Sequence, residues 1–140
     1  MKNTPQNIAF DSIQPETTVR FSRLITEKDV NTFAQLSRDM NPLHTESLYA
    51  TGTQFKKPVA HGKFLASFFS ELIGMRMPGK HSLYLSQSLI FKKPVYIGDE
   101  VVVEGRVVSK SLATQSVEIE TRIYVNNECA VEGVARVQII

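Results

Sequence analysis

Between Gly62 and Met75 the chain carries Phe64, Leu65, Phe68, Phe69, Leu72, Ile73 and Met75. Spacings of one, three and four residues predict a helix that is apolar over most of its circumference, and such a helix should be buried almost all round. Lys63, Ser67, Ser70 and Glu71 interrupt the run, which argues against a bilayer span. The helix should begin near Gly62, after the proline-punctuated stretch from Phe55 to His61. Its first amides have no intrahelical partner, so the Gly62 N–H should point outward at the positive end of the helix dipole. A residue without a Cβ would also let a carbonyl approach the backbone closely. Taken alone, Gly62 equally fits a simple helix-entry glycine. Ser70 fits a hydroxyl bonded back to its own helix.

A second constraint lies upstream, in Asp39-Met40-Asn41-Pro42-Leu43-His44. Pro42 fixes its own φ and pushes Asn41 out of the helical region, so a preceding helix should end near Asp39 and the chain should turn back. Asp39 and His44 can then converge on one small volume. A carboxylate and a neutral imidazole facing one water can move protons at neutral pH, which points to the addition or removal of water. The same residues also make an ordinary turn, with Asp capping nearby amides and Asn tolerating unusual φ.

Elsewhere the pattern is that of an α+β chain. Thr17 to Leu24 alternates as a first strand, and Thr26 with Asp29 begins a helix that runs towards Ser37. A short helix fits Glu46 to Thr51. Strands are expected over Tyr84 to Phe91, Glu100 to Ser109, Gln115 to Val125 and Cys129 to Ile139, with Asn126-Asn127 as a turn between the last two. A helix-rich half followed by strands implies α+β rather than an alternating parallel sheet. The 140 residues suit one domain, 1–140. The pentapeptide Phe-Lys-Lys-Pro-Val occurs at Phe55 to Val59 and again at Phe91 to Val95; the surroundings differ, which favours coincidence over a repeat.

Net charge is only +2 with the acids spread out, so neither nucleic acid nor an anionic membrane is expected as partner. The lone cysteine, Cys129, excludes an internal disulfide and a cysteine-based metal cage. Three histidines with neither a close carboxylate cluster nor a two-histidine helix spacing predict no metal site. Met1 to Asp11 lacks the apolar core of a secretory signal or anchor, and the expected location is cytoplasmic.

Ser37, Asp39, Asn41, Pro42, Leu43, His44 and Ala50 together resemble the signature of the MaoC-like, (R)-specific or type 2 enoyl-CoA hydratases. Pro58 to Gly62, Pro78 to Lys80, Tyr84 to Leu89, Phe91 to Val95 and Gly98 to Val101 resemble the same family in the same order. The likeness runs from about Phe21 to the end of the chain. It is greatest to the short hydratases that supply (R)-3-hydroxyacyl-CoA for polyhydroxyalkanoate synthesis. Two positions depart from the pattern: Arg38 where many members have Gly, and Lys63 where an apolar residue is common.

The resemblance implies a single hot dog fold, a curled antiparallel sheet around a long central helix, assembled as a homodimer. It implies that Asp39 and His44 hold the water added to C3 of a trans-2-enoyl-CoA, with the Gly62 N–H on the developing enolate oxygen. Asn41 would orient the pair, Ser70 would sit near the water, and Ile73 would limit acyl-pocket depth and so favour short chains. No cofactor is implied, since coenzyme A is part of the substrate. Lys56, Lys57, Lys92 and Lys93 are candidates for its phosphates, although lysine pairs are more often solvated. His61 is expected to play a hydrogen-bonding, structural role. Three other readings share the scaffold: a 3-hydroxyacyl-carrier-protein dehydratase, a thioesterase using Glu71, and a non-catalytic acyl-thioester binding module. Unpaired sheet edges give the homodimer independent support, because soluble proteins must cover or pair them.

Overall fold

The computed structural model describes residues 4–140. Six strands make one antiparallel sheet: β1 (Thr18–Leu24), β2 (Ser82–Gln87), β3 (Ile90–Phe91), β4 (Glu100–Ser111), β5 (Ser116–Val125) and β6 (Glu128–Ile139). The order across it is β1-β4-β5-β6-β2, with β3 also paired to β6. Five α-helical segments precede β2: α1 (Glu27–Ser37), α2 (Pro42–Thr45), α3 (Ser47–Thr51), α4 (Gly62–Ala66) and α5 (Phe68–Glu71). This is the α+β, hot dog arrangement, with α4 and α5 packed on the inner face of the sheet.

The inner face follows from strict alternation. Val101, Val103 and Val107 of β4, Val117, Ile119 and Ile123 of β5, and Val131, Ala135 and Val137 of β6 are all buried. Phe64, Leu65, Phe68, Phe69, Leu72 and Ile73 of the helical run join the same core. Burying each such side chain stabilises the fold by about 1.5–3 kcal/mol. Across the middle of the sheet the register aligns Gly105 with Thr121 and Thr121 with Gly133, a row of small residues on three neighbouring strands. Leu72 fills the space this leaves: a Cβ on Gly105 would stand 2.8 Å from its Cδ2. The Thr121 hydroxyl is not orphaned by burial, because it donates to the Gly133 carbonyl (3.1 Å) and accepts from Gln87 Nε2 (2.9 Å).

The central helix is not continuous. At Ser67 the amide donates to both the Lys63 and the Phe64 carbonyls, and the hydroxyl also turns back to Phe64, which tightens the turn and divides α4 from α5. A π-helical turn, Leu72–Arg76, then ends the run. Burial is also one-sided rather than all round, since Lys63, Ser67 and Ser70 are exposed. The single strand expected over Tyr84 to Phe91 is broken at Ser88-Leu89, giving β2 and β3 and hence six strands rather than five. The break has a cause on β6, where the Ser88 carbonyl crosses directly over Gly133. Among the described residues no helix is long and apolar enough to cross a membrane.

The two inner glycines differ in what they would strike. A Cβ at Gly133 would fall 1.7 Å from the backbone oxygen of Ser88, whereas one at Gly105 meets only the end of a leucine side chain. Gly105→Ala is expected to cost about 1–3 kcal/mol, typical of overpacking, and Gly133→Ala distinctly more, since backbone has to move. Urea-unfolding midpoints of the two variants give the comparison.

Candidate active site

Asp39 and His44 reach one place because the chain turns twice within six residues. Thr26 accepts from the Asp29 amide to start α1, and Arg38 ends it in the left-handed region at φ 65°. A residue with a Cβ costs about 1–2 kcal/mol there, which is the physical reason glycine is favoured at this position. Ser37 Oγ accepts from the Asp39 amide, Asp39 Oδ1 from the Asn41 amide, and Asn41 Oδ1 from the Leu43 amide, each at 3.0–3.2 Å. Pro42 then opens α2 at the position where its missing N–H matters least. The Asn41 amide thus donates to the Asp39 carboxylate, while its side chain caps α2. Arg38 is exposed, with its side chain on the solvent side.

His44 leaves α2 towards the segment 59–62 and is tied to it. Its Nδ1–H donates to the Val59 carbonyl (2.5 Å), while the Val59 amide donates to the Leu43 carbonyl (3.2 Å). A carbonyl only accepts, so Nδ1 carries the proton and Nε2 of the neutral ring is left bare. Val59 also bridges Tyr96, and the Ala60 amide donates to the Val95 carbonyl. Gly62 follows as the first residue of α4, with no intrahelical acceptor for its N–H. A Cβ on Gly62 would lie 2.8 Å from the Phe91 ring, so a side chain here would require that ring to move.

His61 is buried against all of this. Its Nε2–H donates to the backbone carbonyl of Asp39 (3.0 Å), and its ring stacks on that of His44 with centroids 3.9 Å apart. Phe33 meets it edge-on at 4.9 Å. Its Nδ1 is buried and has no hydrogen-bond partner, a condition that costs about 1–3 kcal/mol. Burial pushes the His61 pKa below 6.5, and the neighbouring His44 adds to this, while the Asp39 carbonyl and carboxylate act the other way.

One donor atom each from Asp39, His44 and His61 lies within 4.8 Å of the others. The expectation that no carboxylate accompanies the histidines is therefore corrected: local spacing did not reveal a grouping that depends on the segment 59–62 folding back on α2. Both histidines already give one ring nitrogen to a backbone carbonyl.

A cleft of about 420 Å³ opens beside these groups, lined among others by His44, Phe55, Val59, Gly62, Lys63 and Phe91. Leu65, Lys92, Lys93 and Val95 are also part of its wall. The two identical pentapeptides thus meet at one cleft, and the Ala60 amide, just after the first, donates to the Val95 carbonyl that ends the second. Phe55, Phe91 and Val95 thereby join the cleft, Phe91 and Val95 from a segment that also carries the family resemblance and Phe55 from its copy. Lys56 and Lys57 lie off the cleft, with the Lys57 ammonium over the Tyr96 ring. Lys92 and Lys93 pair with Glu132 and Glu128. Ser70 is exposed on α5 and Ile73 is buried in the core, and neither borders the cleft. Glu71, the carboxylate of the thioesterase alternative, faces Arg23 and Arg76 instead.

A curled sheet about a buried helix, with His44 and the helix-entry residue Gly62 lining one cleft and Asp39 grouped with the two histidines beside it, defines a hot dog protein. The chain belongs to the MaoC-like domain family, whose model matches residues 11–128. It is 46% identical over 107 residues to an (R)-specific enoyl-CoA hydratase of Aeromonas caviae, covering 74% of this chain and 80% of that one. To the (R)-specific enoyl-CoA hydratase of Rhodospirillum rubrum it is 37% identical over 130 residues, 93% of this chain and 90% of the relative. The solved (R)-hydratase of A. caviae involved in PHA biosynthesis superposes with a TM-score of 0.90 at 41% identity, covering 92% of this chain and 98% of that structure.

The depressed His61 pKa links stability to pH. Below about pH 6.5 the unfolded chain takes a proton on His61 that the folded chain resists, so this contribution is complete above that pH and is lost as pH falls. Between about pH 7.5 and about pH 5.5 the wild-type protein is expected to lose more stability than His61→Gln, in which this group cannot titrate. Urea midpoints at the two pH values check this, and equal losses would contradict it.

Proposed function

We propose that this protein is an (R)-specific enoyl-CoA hydratase, adding water reversibly across C2 and C3 of a trans-2-enoyl-CoA to give (R)-3-hydroxyacyl-CoA. The observation that carries the reading is the Asp39 carboxylate, one oxygen of which lies within 4.8 Å of a ring nitrogen of His44, beside a cleft lined by His44 and Gly62. A gap of at most 4.8 Å is one that a single water spans, hydrogen-bonded to both at about 2.8 Å.

In this mechanism the water oxygen bonds to C3 as the C2–C3 double bond breaks, and the electron pair moves towards the thioester oxygen. The Gly62 N–H receives that negative charge, a role worth about 10²–10³ in rate for one such donor. Asp39 and His44 take a proton from the water, and one proton is delivered to C2 on the same face. The His44 ring is suited to this because its Nδ1–H is held by the Val59 carbonyl, which leaves Nε2 free to exchange a proton. Coenzyme A enters as part of the substrate, and the reaction needs no other cofactor. Lys63, Lys92 and Lys93 at the cleft are the groups we assign to its phosphates. Buried Leu65 and Val95 bound the cleft and suit short acyl chains.

The same reading makes residues 1–140 one domain, places the protein in the cytoplasm, and pairs it with a second copy. Support for pairing comes from the sheet edge, where β2 and β3 leave Leu83, Leu85, Ile90 and Phe91 exposed. A homodimer of about twice 15.7 kDa is expected by light scattering, and an active monomer at micromolar concentration would overturn it.

Asp39→Asn and His44→Ala should each fold and each lose at least about 10²-fold in kcat for crotonyl-CoA hydration, followed at the enoyl absorbance. Chiral analysis of the wild-type product should give the (R) alcohol. An (S) product, or more than about a tenth of wild-type kcat in both variants, removes the assignment.

A further inference from the structure

We propose that His61 is a positioning residue that sets the geometry of Asp39, His44 and Gly62 together. It touches each by a different route: a hydrogen bond to the Asp39 carbonyl, ring stacking on His44, and the peptide bond to Gly62. The inference rests on the hydratase reading, in which all three act on the substrate.

Three observations separate this role from simple space-filling. The first is directional: Nε2–H is aimed at the main chain of Asp39, twenty-two residues away, so His61 fixes where that turn sits relative to α4. The second is the sandwich. His61 lies against His44 at 3.9 Å and against Phe33 at 4.9 Å, which restricts rotation of the His44 ring to the plane that its bond to Val59 also requires. The third is the unpartnered Nδ1. A phenylalanine would fill the same volume without burying an unsatisfied acceptor, so packing alone does not account for an imidazole here. The imidazole supplies both a flat face for His44 and a donor for Asp39, and no apolar side chain does both. Its depressed pKa keeps it neutral, so that no fixed positive charge is stacked on His44 while that ring takes up a proton.

Two substitutions divide the functions. His61→Phe keeps a ring against His44 and removes the donor to Asp39; His61→Gln keeps a donor and removes the ring. Displacement of reacting groups by about 1 Å costs on the order of 10²-fold, so each variant is expected to lose about 10- to 100-fold in kcat for crotonyl-CoA, with KM changed less than about threefold. The wild-type spectrum should show the hydrogen-bonded His44 Nδ1–H far downfield, and His61→Gln should shift that signal or broaden it away. Thermal melts of both variants run alongside. Wild-type kcat together with an unmoved His44 resonance in His61→Gln would overturn the proposal, and this comparison stands if His61→Phe does not fold. A kcat loss that vanishes at low temperature, in step with a lowered melting point, would also overturn it by reducing His61 to a stability residue. A wild-type protein with no hydratase activity would instead remove the functional reading itself, while the His44 resonance would still report whether His61 holds the ring.

Discussion

The seat of Leu72 against Gly105 sets the distance between helix and sheet, and most of the molecule depends on that distance. With glycine at position 105, the inner face of β4 is low where Leu72 presses in. The sheet can therefore curl about α4 and α5 while Phe64, Leu65, Phe68 and Phe69 still find apolar neighbours. Once the helix is seated, the position of its first residue is fixed. Gly62 then meets Phe91 and lines the cleft.

The site is assembled around that fixed end. Three short segments contribute: the turn after α1 brings Asp39, α2 brings His44, and the approach to α4 brings His61 and Gly62. Their joints are backbone hydrogen bonds, Leu43 with Val59 and Ala60 with Val95, together with the two histidine donors. Each imidazole has one nitrogen committed to a carbonyl, so the tautomer of each is a property of the fold. A substitution that loosens one joint would disturb side chains on two other segments.

Much of this was legible in the sequence where the controlling interactions are local. The apolar run marked the central helix, the alternation of Val and Ile marked β4 to β6, and Thr26 with Asp29 marked the start of α1. Asn126 and Asn127 form the expected turn, both with φ above 50°. The Asp39-to-His44 turn was legible for the same reason, since its Asx contacts span only two residues each. What could not be read involves partners distant in sequence. The break between β2 and β3 answers to Gly133, and the carboxylate beside His61 exists only because residue 39 is held to residue 61. Ser67 is a different case: its hydroxyl competes locally with the helix, and the surrounding apolar pattern masked it. The meeting of the two pentapeptides is likewise a product of the fold, since it rests on the pairing of Val59 with Tyr96.

Lys92 and Lys93 stand at the cleft beside Glu132 and Glu128 of β6. An anion arriving there meets zwitterionic pairs rather than bare cations, and has to draw each lysine away from a carboxylate. Dissolved salt acts on both sides of that exchange: it screens the pull of the lysines on the anion, and it screens the carboxylates that compete for them. The two effects act in opposite directions, so anion binding at these paired lysines would vary less with ionic strength than at an array of unpaired charges.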